Sequence, residues 1–218
     1  VIYLSDNAVP ALPAVLEAIV RANECYAPAY CADDLTEAAR QKVRVVLDAP
    51  EALVEFTTSG TAANAMLLAE LTPPWGTVFA ARTSHIEEDE GGAIPFMTGG
   101  AKITLVDGPG GKIDASALQT ALARYGRPDV HGLARGPVSL TQATEKGTVY
   151  SAAEIAERAA LARSAGVATH MDGARFANAV AATGSSPADL TWAAGVVALS
   201  FGATKNGTLG LEAMIVFD

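Results

Sequence analysis

Short apolar or β-branched runs recur along the chain at "LVEFT" (53–57), "TVFAA" (77–81), "KITLV" (102–106), "PVSL" (137–140), "VATHM" (167–171), "GVVALS" (195–200) and "AMIVF" (213–217). Between several of them the apolar positions change to a helical spacing. In "DASALQTALARYG", Leu118, Ala121, Leu122 and Tyr125 share one face, Asp114 supplies an N-terminal cap and Gly126 a stop. In "SAAEIAERAALARSAG", Ser151 and Glu154 have capping-box spacing and Gly166 ends the helix just before the next strand. Seven strands alternating with helices predict an α/β fold, with a mainly parallel seven-stranded sheet sandwiched by helices. Ligands of such sheets sit at the carboxyl ends of the strands. Residues 1–50 carry a different pattern, two helical stretches (11–23 and 36–48) around the loop "ECYAPAYCADD". They read as an N-terminal arm, with 51–218 as the domain that holds the sheet.

Composition narrows the partners. Half of the 218 residues are hydrophobic, enough for a sizeable core, and the formal charge of -9 with a pI near 4.8 argues against nucleic acid and anionic membranes, which select basic faces. No apolar run approaches the ~20 residues that span a bilayer. Cys25 and Cys31 stand without further pairs, which suits reduced cytoplasmic thiols, and no signal peptide is visible. The expected partner is a small molecule. "DGPGGK" (107–112) reads as a turn, since neither a Walker A nor a dinucleotide fingerprint follows a strand. The chain begins at Val1 and stops at Asp218 directly after a strand-like run, as a piece of a longer polypeptide would.

Between Asp189 and Glu212 a single side chain, Lys205, is charged. A lysine in neutral surroundings loses solvation, which favours the free amine that forms Schiff bases; the alternative is a lysine reaching solvent from a turn. Three other stretches bear on that choice. In "HMDGARFANA", Asp172 falls at the carboxyl end of a strand, where a pyridinium would satisfy a buried carboxylate, and Arg175 has the planar fork that suits a substrate carboxylate. The same two residues also admit a plain salt bridge closing a turn. In "FTTSGTAANAMLLAEL", a strand runs through Ser59, Gly60 and Thr61 into a helix whose free N–H groups suit a phosphate; simple capping by Ser59 or Thr61 is the alternative. In "RTSHIEEDEGGA", His85 suits ring stacking or proton transfer, while Glu87, Glu88, Asp89 and Glu90 read as a solvated helix start. His85, His131 and His170 are dispersed and no pair has ligand spacing, so no metal site is expected.

A phosphate-holding helix start, a ring-stacking histidine, an acid for a pyridinium, an arginine for a carboxylate and a Schiff-base lysine together point to pyridoxal 5'-phosphate. The order and wording of "LSDN", "SGTAAN", "SHIEEDEGGA", "TGGAKI", "VSLTQATEKGTVY", "HMDGARFANA" and "FGATKNG" resemble the threonine aldolase branch of the β-eliminating lyases, within the aspartate-aminotransferase-like fold. The resemblance covers essentially the whole chain. It implies Lys205 as the Schiff-base lysine, Asp172 as partner of the pyridine nitrogen, His85 over the ring, Gly60 and Thr61 at the phosphate, and Ser5 with Arg175 at the substrate carboxylate. Gln142 and Glu145 are implied to organise the site, without an assigned role.

Three departures stand out. Tyr30 and Asp33 match a Tyr-Gly-Asp loop of the family, while Cys31 and Ala32 replace a glycine and an acid, in a loop that tends to approach a neighbouring subunit's site. Gly92 stands where cysteine is frequent. The family's C-terminal small domain is absent from the chain. The activity implied is cleavage of L-threonine, L-allo-threonine or other β-hydroxy-α-amino acids to glycine and an aldehyde, by a cytoplasmic homodimer or homotetramer. The alternatives are β-elimination or other chemistry at Cα with the same residues, and a fragment that binds ligand without turnover.

Overall fold

The computed structural model describes residues 5–126 and 130–217, so Leu4 of the "LSDN" motif lies outside the described residues. Each apolar run forms a strand: β1 Leu53–Thr57, β2 Gly76–Ala81, β3 Lys102–Val106, β4 Ala134–Thr141, β5 Thr169–Gly173, β6 Ala198–Gly202 and β7 Glu212–Val216. They lie in the order β1-β7-β6-β5-β4-β2-β3. All pairings are parallel except those of β7, which runs antiparallel to both neighbours. The sheet is therefore mainly parallel, as its sequence pattern predicts.

Among the described residues, eight α-helices frame it: α1 Pro13–Ala22, α2 Asp34–Leu47, α3 Gly60–Leu71, α4 His85–Glu88, α5 Ala93–Met97, α6 Ala115–Arg124, α7 Ala152–Ser164 and α8 Phe176–Thr183. Their ends follow the capping chemistry read from the sequence. Asp114 accepts from the N–H groups of Ser116 and Ala117, and Ser151 and Glu154 close a reciprocal capping box. "DGPGGK" is a turn, with a short 3₁₀ segment at Pro109–Gly111.

Alternation along β2 shows how the two faces are covered. Val78 and Ala80 pack with Ala65 and Leu68 of α3 and Ile94 of α5, while Phe79 and Ala81 join Leu118 and Leu122 of α6 and Ile155 of α7. On β5, Met171 belongs to the α6/α7 side, and Asp172 meets Asn64 of α3 on the other. The small residues of α3 let its backbone lie close to the sheet, leaving Asn64 as a buried amide in that layer.

In the N-terminal stretch, α2 is tied to the sheet edge. Arg40 and Arg44 donate to the carbonyls of Val54 and Ala52, and Leu47 enters the core. Helix α1 buries none of its residues. Cys25 and Cys31 are exposed and unpaired. Cys31 adopts φ +58°, the left-handed conformation that favours glycine. No helix among the described residues is long and apolar enough to cross a membrane.

Candidate functional site

The carboxyl ends of β1, β2, β4, β5 and β6 share one edge of the sheet, and because β7 runs the opposite way it brings its first residue there too. A cavity of about 410 Å³ opens at that edge, within the range of small-molecule sites. Its lining includes Ser5, Gly60, Thr61, His85, Asp172, Arg175 and Lys205. Seven residues singled out from five separate stretches thus meet in one place, and Glu145 joins them.

At the end of β1, Ser59 caps α3 by accepting from the N–H of Ala62 at 3.2 Å. Capping is therefore real, and it leaves the N–H groups of Gly60 and Thr61 uncommitted at the positive end of a twelve-residue helix. Gly60 has open space where a side chain would begin.

Asp172 is the penultimate residue of β5 and is 3% exposed. One carboxylate oxygen accepts from the backbone of Ala174 (3.0 Å) and the other from Asn64 Nδ2 (3.0 Å). Asp172 does not form a salt bridge with Arg175. Arg175 instead grips Asp6, 169 positions away in sequence, through Nε and Nη2. Burial alone would raise the Asp6 carboxyl, but the hydrogen bond and charge of Arg175 hold it below the usual range. Lys205 lies in a 3₁₀ segment just beyond β6, its Nζ 4.0 Å from Asp6 Oδ1. The neutrality of its sequence neighbourhood is thus a local property, since the fold sets an acid beside it.

His85 follows β2 and is held from two sides. Its backbone N–H donates to Glu145 Oε1 at 2.8 Å, and its Nδ1 lies 3.0 Å from Glu90 Oε1. The hydrogen bond to Glu90 raises the imidazole pKa despite partial burial. Burial also raises the carboxyl groups of Glu145 and Glu212.

Glu90 corrects the sequence expectation. Glu87, Glu88 and Asp89 are solvated, but the Glu90 carboxylate has no exposed area. The chain turns after Asp89 through Gly91 and Gly92, both in the left-handed region, and this carries Glu90 inward. Its spacing of five from His85 does not fit a helical pair, so the pattern holds no signal for it.

Asn64, Asp6 and Glu212 were also not singled out. Glu212 lines the cavity from β7 and accepts from Thr204, the residue before Lys205, at 2.8 Å. Gln142 lies behind the site. Its side-chain amide bonds both the N–H and C=O of Tyr150, and its N–H donates to the Asp172 carbonyl. Glu90, Glu145 and Glu212 each keep one buried carboxylate oxygen with no hydrogen-bond partner.

A family model described as beta-eliminating lyase matches residues 3–218. Low specificity L-threonine aldolases of Pseudomonas aeruginosa and of a Pseudomonas species are 38% and 37% identical to the chain over 216 residues. The match covers 99% of this chain, which spans 62% of the length of those relatives. A solved structure of Leishmania major threonine aldolase superposes with a TM-score of 0.90 at 28% identity, over 98% of this chain and 61% of that one. An L-allo-threonine aldolase-like structure from Listeria monocytogenes shares the fold, with a TM-score of 0.73 at 16% identity, over 95% of this chain and 55% of that one.

Proposed function

The chain belongs to the β-eliminating lyase family, and from that premise we propose that it holds pyridoxal 5'-phosphate in this cavity and cleaves L-threonine and related β-hydroxy-α-amino acids to glycine and an aldehyde. The observation that carries this reading is the meeting of an uncommitted helix start, a buried aspartate, a half-buried histidine, an arginine and a lysine around one space of about 410 Å³. The residues fit the cofactor. Asp172 takes only neutral N–H donors from the protein, which leaves its charge for a pyridinium, and the free amides of Gly60 and Thr61 suit a phosphate. Residues 51–218 form the cofactor domain and 1–50 its arm.

Bound there, pyridoxal phosphate supplies an electron sink for bond breaking at Cα. Lys205 Nζ would be the amine that holds it. Arg175 exchanges Asp6 for the substrate's α-carboxylate, and Ser5 adds a hydroxyl. His85 takes the β-hydroxyl proton at Nε2, because Nδ1 is engaged by Glu90. Glu145 keeps His85 in place through its backbone N–H. A cytoplasmic homo-oligomer suits the exposed thiols of Cys25 and Cys31 and the uncovered apolar side chains of α1, Leu16, Ile19 and Val20.

The test is product analysis of the chain supplied with pyridoxal phosphate and L-threonine. Equal amounts of glycine and acetaldehyde are expected. Ammonia with a keto acid would move the assignment to β-elimination, and cofactor uptake with no product would leave a binding fragment.

A further inference from the structure

Asn64 is buried, and its orientation is determined by its neighbours. Ser200 Oγ lies 2.8 Å from Asn64 Oδ1, while Asn64 Nδ2 lies 2.9 Å from Glu90 Oε1 and 3.0 Å from Asp172 Oδ2. Carboxylates accept, so the NH₂ group must face both acids and the carbonyl must face the serine hydroxyl. Each amide hydrogen then serves one carboxylate, and two acids that would repel one another are joined by a shared donor. Glu90 carries the chain onward. The same oxygen that accepts from Asn64 lies 3.0 Å from His85 Nδ1. Four side chains from three segments therefore form one line, His85–Glu90–Asn64–Asp172, with Ser200 locking its amide.

We propose that Glu90 and Asn64 are positioning residues of the site: Glu90 fixes the proton of His85 on Nδ1 and leaves Nε2 as the nitrogen offered to the cavity, and Asn64 ties that pair to Asp172 so that both reactive faces hold one geometry. The logic is that of a carboxylate orienting an imidazole, where the acid determines which nitrogen is the base. The assignment of His85 as a base rests on the function proposed above; the hydrogen-bonded chain does not. The charged groups facing His85 are Glu90 from its own segment, Asp172 from β5 and Lys205 beyond β6, with Glu145 held at its backbone. Glu90 acts on it most strongly, because it touches the ring with a hydrogen bond, and it raises the imidazole pKa.

Nuclear magnetic resonance titration of the histidine ring protons, with His85 identified by its loss in His85→Asn, tests the first link without cofactor or turnover. His85 is expected to titrate above 6.5 in the parent chain. In Glu90→Gln, which keeps shape and removes charge, it should fall, because burial then acts without the opposing hydrogen bond, and Glu90→Asp should restore part of the difference. An unchanged titration in Glu90→Gln would overturn the role of Glu90. The second link is tested by a double-mutant cycle on turnover, with Glu90→Gln expected to cost about tenfold and to move the ascending limb of the pH profile to lower pH. With Asn64→Ala the losses should be strongly non-additive, the double variant losing little more than the worse single one. Additive losses would contradict the role of Asn64. If the chain turned over no substrate at all, the function proposed above would fail while the titration still decided the role of Glu90.

Discussion

Lys205→Ala is expected to lower glycine formation from L-threonine by about 10³-fold or more, and to abolish the yellow absorbance of protein-bound pyridoxal phosphate, with the fold preserved. The size of the effect follows from position. Lys205 brings an amine to the cavity lining, placed by a short 3₁₀ segment immediately past β6 and 18% exposed at its side chain. Its charged partner among the described residues, Asp6 at 4.0 Å, is already held by Arg175, so truncation leaves no buried charge alone. Folding should therefore be nearly unaffected, as circular dichroism and the thermal midpoint would show. A variant that kept both absorbance and turnover would return Lys205 to a structural role. The comparison with Arg175 is informative, since Arg175→Ala should raise KM for the carboxylate-bearing substrate while leaving the absorbance in place.

Acidification is expected to remove about 3 kcal/mol of stability between pH 6.5 and pH 4, through His170. His170 has no exposed area; its Nδ1 lies 3.0 Å from Ser139 Oγ and its Nε2 has no partner. Burial pushes its pKa from the ordinary 6.5 down to about 4, against the pull of nearby Asp172. A base whose pKa falls on folding binds more protons in the unfolded chain across that interval, so stability rises with pH through the window and is complete above 6.5. Denaturant unfolding at pH 7 and pH 4.5 measures the loss directly. In His170→Gln, which retains a hydrogen-bonding group for Ser139, most of the difference should vanish. An equal loss in both proteins would assign the acid sensitivity to other groups; Asp6 is not among them, because its depressed pKa acts at still lower pH.

The architecture was largely legible because the sheet is buried on both sides, and such strands announce themselves as short continuous apolar runs. Antiparallel β7 was not, since "AMIVF" carries no mark of direction. At the site, residues sitting on or just beyond strand ends were readable because local pattern fixed their place: Asp172 ends an apolar run, and Gly60 and Thr61 open a helix behind a cap. What escaped depended on contacts between distant segments. Asp6 reaches Arg175 across 169 positions and Asn64 reaches Asp172 across 108, distances over which spacing conveys nothing. Glu90 was misread for a related reason. It closes an acidic run whose first three members are solvated, and only the left-handed glycines that follow turn it inward. The alternative of an Asp172–Arg175 bridge is not what forms, because Arg175 takes a far partner, Asp6, over the near one.

Reduction of the cofactor-loaded chain with borohydride, followed by peptide mapping, tests most directly the claim that this cavity is built around one reactive amine. A pyridoxyl group on the peptide containing Lys205, and absent from those containing Lys42, Lys102, Lys112 and Lys146, is the predicted result. Labelling of another lysine, or of none, would contradict it.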